Sequence, residues 1–316
     1  MPTVLAIGDT MVEVSLQVAD AWESSPDVAA SASAVGTGGS AANFAAVASA
    51  LGLKATLATE VGSDLFTDLL VEDLTSHGLD MSLVRRRSGP NSLCVVAIGV
   101  DGDRRFLSYR GSETTPSAAA FSEFSSQILD TVPDVDWLHI SGFWLQREST
   151  THLVMDAARL ASERGIPISF DPSPQLMERP SPELGALLEL ATAFFPNEYE
   201  ACAFTGATDT RAAATALCSL NIPVVVMKLG VAGAFMITNS TIEPIETSAA
   251  LVADTTGAGD ALAAGFIAAH LSGADLRTAV TCGSEAAAMT IASVGGHSAC
   301  AAITAKLRDK YSTQFK

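Results

Sequence analysis

Along this chain, short dense apolar runs stopped by a glycine or an acid alternate with longer stretches in which small residues fill whole helical turns. Residues 3–8 form such a run, ending in Gly8-Asp9, as a central parallel strand does when its carboxyl end opens on a site. Met11-Val12-Glu13-Val14-Ser15-Leu16 alternates instead, which predicts an exposed strand, and a further strand is expected near 29–35. Residues 55–61 predict a strand, Gly62-Ser63-Asp64 a turn and N-cap, and 65–77 a helix closed by Gly78. Strand-like runs at 93–100 and 104–109 flank Asp101-Gly102-Asp103 and predict a hairpin. With 11–15 and 29–35, these make a small sheet separate from the main one.

From residue 136 the pattern repeats strand, then helix: 136–141 with 148–164, 166–170 with 181–190, 191–195 with 198–205, and 222–228 with a glycine turn. That alternation builds a parallel sheet covered on both faces. The last helices are expected at 275–291 and 301–308. No low-complexity linker interrupts the chain, so 1–316 reads as one α/β domain.

Composition narrows the function classes. Of the 316 residues 48% are apolar and only 6% aromatic, which suits close packing of alanine-rich helices on a sheet. No apolar run is long enough to span a bilayer, and the N-terminus lacks a basic leader, so a cytoplasmic location is expected. The formal charge of −17 excludes a nucleic-acid surface; the one basic run, Arg85-Arg86-Arg87, reads as a strand end. Five scattered cysteines without a C-x-x-C pair suggest neither a disulfide framework nor a zinc site. His139 reads as a core histidine, and H-E-x-x-H and G-x-S-x-G are absent, which removes metallohydrolase and serine-hydrolase chemistry.

The informative chemistry sits in Asp254-Thr255-Thr256-Gly257-Ala258-Gly259-Asp260, which runs into a small-residue helix. Two glycines and an alanine bare the backbone where that helix begins, so the N–H groups of Gly257, Ala258, Gly259 and Asp260 converge as an anion site. A carboxylate at the rim of an anion site repels the guest unless it takes a proton from whatever attacks that guest. Asp260 beside a phosphate cradle therefore points to phosphoryl transfer. Upstream, Gly38-Gly39 precedes another small-residue helix carrying Asn43 in its first turn. Bare backbone with one amide donor and acceptor suits a polyol.

These stretches, with Asn197-Glu198-Tyr199-Glu200 and Lys228-Leu229-Gly230-Val231-Ala232-Gly233, resemble in type and order the motifs of the ribokinase family, the pfkB-type carbohydrate kinases. The resemblance implies a three-layer sandwich around a mostly parallel sheet, with a β-sheet lid from roughly 10–36 and 82–112. It implies an ATP-dependent kinase acting on a hydroxyl, most simply a primary one, of a sugar or sugar acid, with Asp260 as general base.

Site roles follow from the same resemblance. Glu13, Gly38, Gly39, Asn43 and Asp260 face the acceptor, although the family usually has Asp at the Glu13 position. Asn197, Lys228, Gly230, Gly233 and Ser284 face the nucleotide, Ser284 standing where the family has Asn. Glu200 serves Mg²⁺ through water, and Asp254, Thr256, Thr290, Ser293, Gly295 and the Ala299 carbonyl match a potassium shell. Tyr109-Arg110 is either a surface pair or a reach to a substrate oxygen or carboxylate. A homodimer through the lid is implied as well. Two alternatives stay open: a nucleoside kinase of the same fold with a base pocket at Phe143 and Trp144, and a sugar-binding sensor without catalysis.

Overall fold

Strand β1 (Thr3–Ile7) is the axis of the molecule, because it feeds one sheet and leads directly into a second. The structure, a computed structural model, describes residues 1–18, 27–99, 104–111, 118–247, 252–308 and 310. In chain order the strands are β2 (Met11–Val18), β3 (Ala30–Gly38), β4 (Lys54–Val61), β5 (Val84–Arg86), β6 (Leu93–Ile98) and β7 (Arg104–Tyr109), then β8 (Trp137–Ser141), β9 (Ile168–Asp171), β10 (Ala193–Phe194), β11 (Val224–Lys228), β12 (Ala234–Ile237) and β13 (Ile242–Ile245).

Nine of them form one sheet in the order β13-β12-β11-β10-β9-β8-β1-β4-β5. It is parallel from β11 to β5 and antiparallel at β12 and β13. Chain order reverses beside β1, and in open α/β sheets ligands sit beyond the carboxyl ends of the strands at that point. Asp9 and Ser141 follow β1 and end β8 there, and Ser141 Oγ donates to Asp9 Oδ1 at 2.9 Å.

The helices that cover this sheet explain the alanine content. Residues 41–48 of the Ser40–Ala50 helix and residues 261–269 of the Ala258–Leu271 helix are buried throughout. A helix apolar on every side belongs in a core, and small side chains let it lie close to its neighbours. The closest approach is between Ala258–Leu271 and Leu276–Thr290: a Cβ added to Gly265 would stand 2.7 Å from Gly283 Cα, and one on Gly283 would stand 2.4 Å from the Leu262 carbonyl oxygen. Both positions require glycine because backbone meets backbone.

The second sheet, in the order β3-β2-β6-β7, stands over the carboxyl edge of the first. The alternation at 11–16 predicts an exposed strand; here the structure differs, since β2 lies between β3 and β6 and its residues are mostly buried. Val12 packs on Val61 and Leu70, while Met11 and Glu13 face the cavity between the sheets. β6 and β7 pair antiparallel as a hairpin requires, and the turn 101–103 lies outside the described residues.

Two helix boundaries also differ from expectation. The first runs Thr67–Ser76 with Phe66 as its N-cap, and Asp64, two residues earlier, accepts from the Phe66 N–H and from Asn91 in the turn that precedes it. The terminal helix is a short Cys300–Ile303 turn continued by the π-helix Thr304–Arg308. No helix of the described residues is long and apolar enough to cross a membrane.

Candidate active site

A cavity of about 410 Å³ opens between the two sheets. Its lining includes Glu13, Gly39, Ser40 and Asn43 from the lid and first helix, and Asp171, Asn197, Glu200 and Lys228 from the strand ends. Thr256, Gly257, Gly259 and Asp260 complete it at the start of the Ala258–Leu271 helix. Residues up to 220 positions apart thus meet at one carboxylate, for Asp260 Oδ1 accepts from Ser40 Oγ at 2.8 Å and Oδ2 from Asn43 Nδ2 at 2.9 Å.

Gly39 and Gly257 make the two backbone approaches possible. Gly39 has φ 106, and a Cβ there would stand 2.5 Å from the Asp9 carbonyl oxygen. Gly257, the N-cap, has φ 74, and its added Cβ would stand 2.1 Å from the Gly296 oxygen. An L-residue at such a φ is strained and the clash would push the turn aside. Gly257→Ala is therefore expected to lower turnover about 10²–10³-fold, the usual cost of losing an oxyanion donor; ADP release near wild type would remove this turn from the site.

The anion cradle differs from expectation in one group. The Ala258 N–H turns back to the Thr255 oxygen at 3.3 Å, so Gly257, Gly259 and Asp260 are left to meet a guest. Gly259 lies against Lys228, whose Nζ would be 2.9 Å from an added Cβ, so an ammonium reinforces the helix N-terminus.

Lys228 is the electrostatic hub. Its Nζ donates to both oxygens of Asp171, at 2.8 and 3.0 Å. Burial works against its charge, but the Asp171 and Glu200 carboxylates outweigh that and hold it above the ordinary lysine range. Three carboxylates, Asp171, Glu200 and Asp260, surround this one ammonium. Burial first, then the Asp171 charge, raises Asp260 to about 7, against the bonds from Asn43 and Ser40 and the Lys228 charge. Burial first, with Asp171 adding, raises Glu200 to about 7 against Lys228. A carboxylate poised near neutrality is what a general base needs.

Glu200 and Asn197 share a capping box: Asn197 Oδ1 accepts from the Glu200 N–H and Glu200 Oε2 accepts from the Asn197 N–H, both at 2.8 Å. One Glu200 oxygen is thus structural. Gly230 and Gly233 form the turn after Lys228 with φ 59 and 89 and stand outside the cavity lining. Ser284 is buried inside the Leu276–Thr290 helix, away from that lining. Asp254 closes a loop, accepting from the Thr256 and Gly295 N–H groups. Beside it the Thr290 oxygen accepts from Ser293 and the Gly295 oxygen from Ser298.

Of the other residues singled out, Arg110 faces the cavity, its guanidinium stacked 4.2 Å above the Phe143 ring. Trp144 is largely buried, edge-on to Phe124, and with Phe143 lines a smaller cavity beside the first. His139 is a core residue, stacked on Phe44 and bonded to Ser169, and burial lowers it to about 3.

Sequence reasoning passed over Asp171 and His297. The first could have been found as an acid ending a predicted parallel strand. The second gave no local signal, because its partners Asn43 and Asp73 lie more than 200 positions away.

A second, smaller cavity of about 120 Å³ shares Asp9, Arg110 and Phe143 with the first and adds Arg87 and Arg147. Arg87 Nη2 donates to the Pro90 oxygen at 3.0 Å, and Arg147 donates to the Arg110 carbonyl. Burial, offset by Glu60 and reinforced by the Arg147 charge, holds the Arg87 guanidinium below its ordinary range.

Comparison with known proteins speaks to family and fold. The family pattern described as pfkB family carbohydrate kinase matches residues 1–302. The chain is 30% identical over 302 residues, 95% of either chain, to a protein of Halopiger xanaduensis named ATP-dependent ribose-1-phosphate kinase. It is 28% identical over 250 residues, 78% of this chain and 95% of the relative, to an uncharacterised sugar kinase of Archaeoglobus fulgidus. Among solved structures, adenosine kinase from Sinorhizobium meliloti superposes with a TM-score of 0.79 at 21% identity, covering 96% of this chain and 99% of that one. At that identity the likeness speaks for the fold, a ribokinase-like α/β sandwich with a separate small sheet.

Proposed function

Since the chain belongs to the pfkB family of carbohydrate kinases, we propose that it transfers the γ-phosphoryl group of ATP to a hydroxyl, most simply a primary one, of a sugar or sugar acid, with Asp260 as general base. One observation carries this reading. Asp260 is held by Ser40 and Asn43 on the side where Gly39 and Glu13 can receive a polyol, and it stands beside Lys228 and Gly259 on the side where a phosphate meets the helix N-terminus.

The acceptor oxygen forms a bond to the γ-phosphorus as the bond to the ADP oxygen breaks, and the hydroxyl proton passes to Asp260. The Gly257, Gly259 and Asp260 N–H groups and the Lys228 ammonium take up charge on the transferring group. Transfer of this kind needs positioning and charge stabilisation more than covalent help. Asp171 and the free oxygen of Glu200 give the nucleotide side an excess of hard oxygen donors, which suits Mg²⁺ held largely through water. Bound there with the nucleotide, the ion would neutralise phosphate oxygens.

The arginine cavity supports an acceptor that carries an anion. Arg87, Arg110 and Arg147 face it against Asp9 and Glu60, and Glu60 also lies 3.6 Å from Arg85. An acidic chain that gathers guanidiniums in a recess open to the sugar site is suited to a carboxylate or phosphate on the end of the acceptor away from Asp260. A nucleoside base would instead need the Phe143 face, which Arg110 covers. The exposed lid residues Val35, Phe106, Leu107 and Tyr109 support pairing with a second copy of the chain.

ADP release across neutral sugars, sugar acids, sugar phosphates and nucleosides tests the assignment. Anionic sugars are expected to lead in kcat/KM, and Arg147→Gln to remove about 10–10²-fold of that lead, the worth of a charged hydrogen bond. Equal turnover of nucleosides and anionic sugars would reject the acceptor class. Sugar binding with no ADP from any acceptor would reject the kinase and favour a sensor.

A further inference from the structure

Behind Asn43, on the side away from Asp260, a second set of side chains converges. Asp73 and the C-capping His77 come from the Thr67–Ser76 helix, four residues apart and so on one face; His297 comes from the loop after the Leu276–Thr290 helix. Asp73 Oδ2 is 3.0 Å from His297 Nε2, Asp73 Oδ1 is 3.8 Å from His77 Nε2, and one ligand atom from each residue lies within 4.8 Å of the other two. We propose that Asp73, His77 and His297 bind a divalent transition-metal ion of the zinc class, which fixes the amide of Asn43 from behind.

The donor set and the hydrogen-bond accounting carry the assignment. Asn43 Nδ2 is committed to the Asp260 carboxylate, so its Oδ1 is what faces His297 Nδ1 at 2.9 Å. An oxygen acceptor there requires the ring hydrogen on Nδ1. In the neutral ring Nε2 is then a lone pair aimed at a carboxylate oxygen, and His77 Nε2 points at the other oxygen of the same carboxylate without hydrogen-bonding it. An extra proton on His297 would satisfy one of these contacts. A metal ion satisfies both.

Two imidazoles with one carboxylate favour zinc, cobalt or nickel over magnesium or potassium. Bonds of about 2.0–2.2 Å in a tetrahedron place ligand atoms about 3.3 Å apart, so the observed spacings need only small side-chain adjustments. Asp73 and His77 are partly exposed, 33% and 22%, which admits the ion and leaves water the fourth position. The His297 N–H given to Asn43 matches the way a ligating histidine is oriented by its other nitrogen.

Cobalt titration of the full chain, freed of metal by a chelator, tests the proposal. Expected are visible ligand-field bands that saturate at one equivalent, yield to zinc and not to magnesium, and weaken at least tenfold in His77→Phe and in Asp73→Asn. Neither variant touches the substrate cavity. In zinc-loaded enzyme His77→Phe should raise the KM for the acceptor several-fold and leave the KM for ATP unchanged, whereas a merely structural role would lower only the melting temperature. The spectroscopic arm stands whether or not the chain is a kinase. Absence of the bands, bands unaltered by both variants, or nitrogen NMR showing both ring nitrogens of His297 protonated in zinc-saturated protein would overturn the site.

Discussion

Asp260→Asn is expected to turn over about 10²–10⁴-fold more slowly than the wild type, the range for loss of a general base, while ATP affinity is kept. The amide keeps an oxygen for Ser40 or Asn43 but brings its own N–H groups toward the other donor, and it cannot accept the hydroxyl proton. In the wild type, burial and the Asp171 charge raise the carboxyl to about 7. The rate should therefore climb as pH rises through that value and then level, and the variant should lose this limb.

Stability carries the opposite sign. The folded chain keeps this proton up to about 7, whereas the unfolded chain releases it near the ordinary 3.8, so the folded state loses stability as pH rises between the two. Urea melts should thus show Asp260→Asn gaining on the wild type from pH 5 to pH 8. Turnover near wild type, or a rate profile with its ascending limb intact in the variant, would remove Asp260 from the base role.

Lys228→Met should have the largest effect on stability. The ammonium answers Asp171 at two contacts and lies within the fields of Glu200 and Asp260. Removing one partner of a buried pair leaves an uncompensated charge, at a cost of about 3–5 kcal/mol. A second change, Asp171→Asn, removes that charge and should restore much of the lost midpoint in urea. It should not restore ADP release, because the cation at the phosphate end is still missing. A single variant within about 1 kcal/mol of wild type would mean that Lys228 is no hub, since surface pairs are worth about that little.

Most of the strands themselves were legible, though not their order in the sheet, because β1, β8, β9 and β11 are apolar runs that end at a polar residue or a turn, and such runs are buried on both faces. Gly39, Asn43, Gly257 and Asp260 were legible for another reason: bare backbone beside a helix start limits what chemistry is possible. The errors have physical causes. β2 looked half-exposed because alternation reports two unlike faces, and here the polar face looks into a cavity. The Ala258 N–H looked available until the turn closed on Thr255. His297, a single residue between Gly296 and Ser298, leaves no periodic trace, and the recess that joins Arg110, already singled out for a substrate carboxylate, to Arg87 and Arg147 is made by tertiary contact.

The glycine-to-glycine crossing at Gly265 and Gly283 has a mechanical consequence. With no side chain as a cushion between them, the Ala258–Leu271 helix has nowhere to recoil, and its tip is an anvil. Any widening of the cleft to admit or release ligands then falls to the opposite jaw, the β3-β2-β6-β7 sheet, which joins β1 through Asp9 and Thr10 and the Ser40–Ala50 helix through Gly39. Substitutions on that jaw can retune which acceptor fits without disturbing the end where the phosphoryl group is delivered.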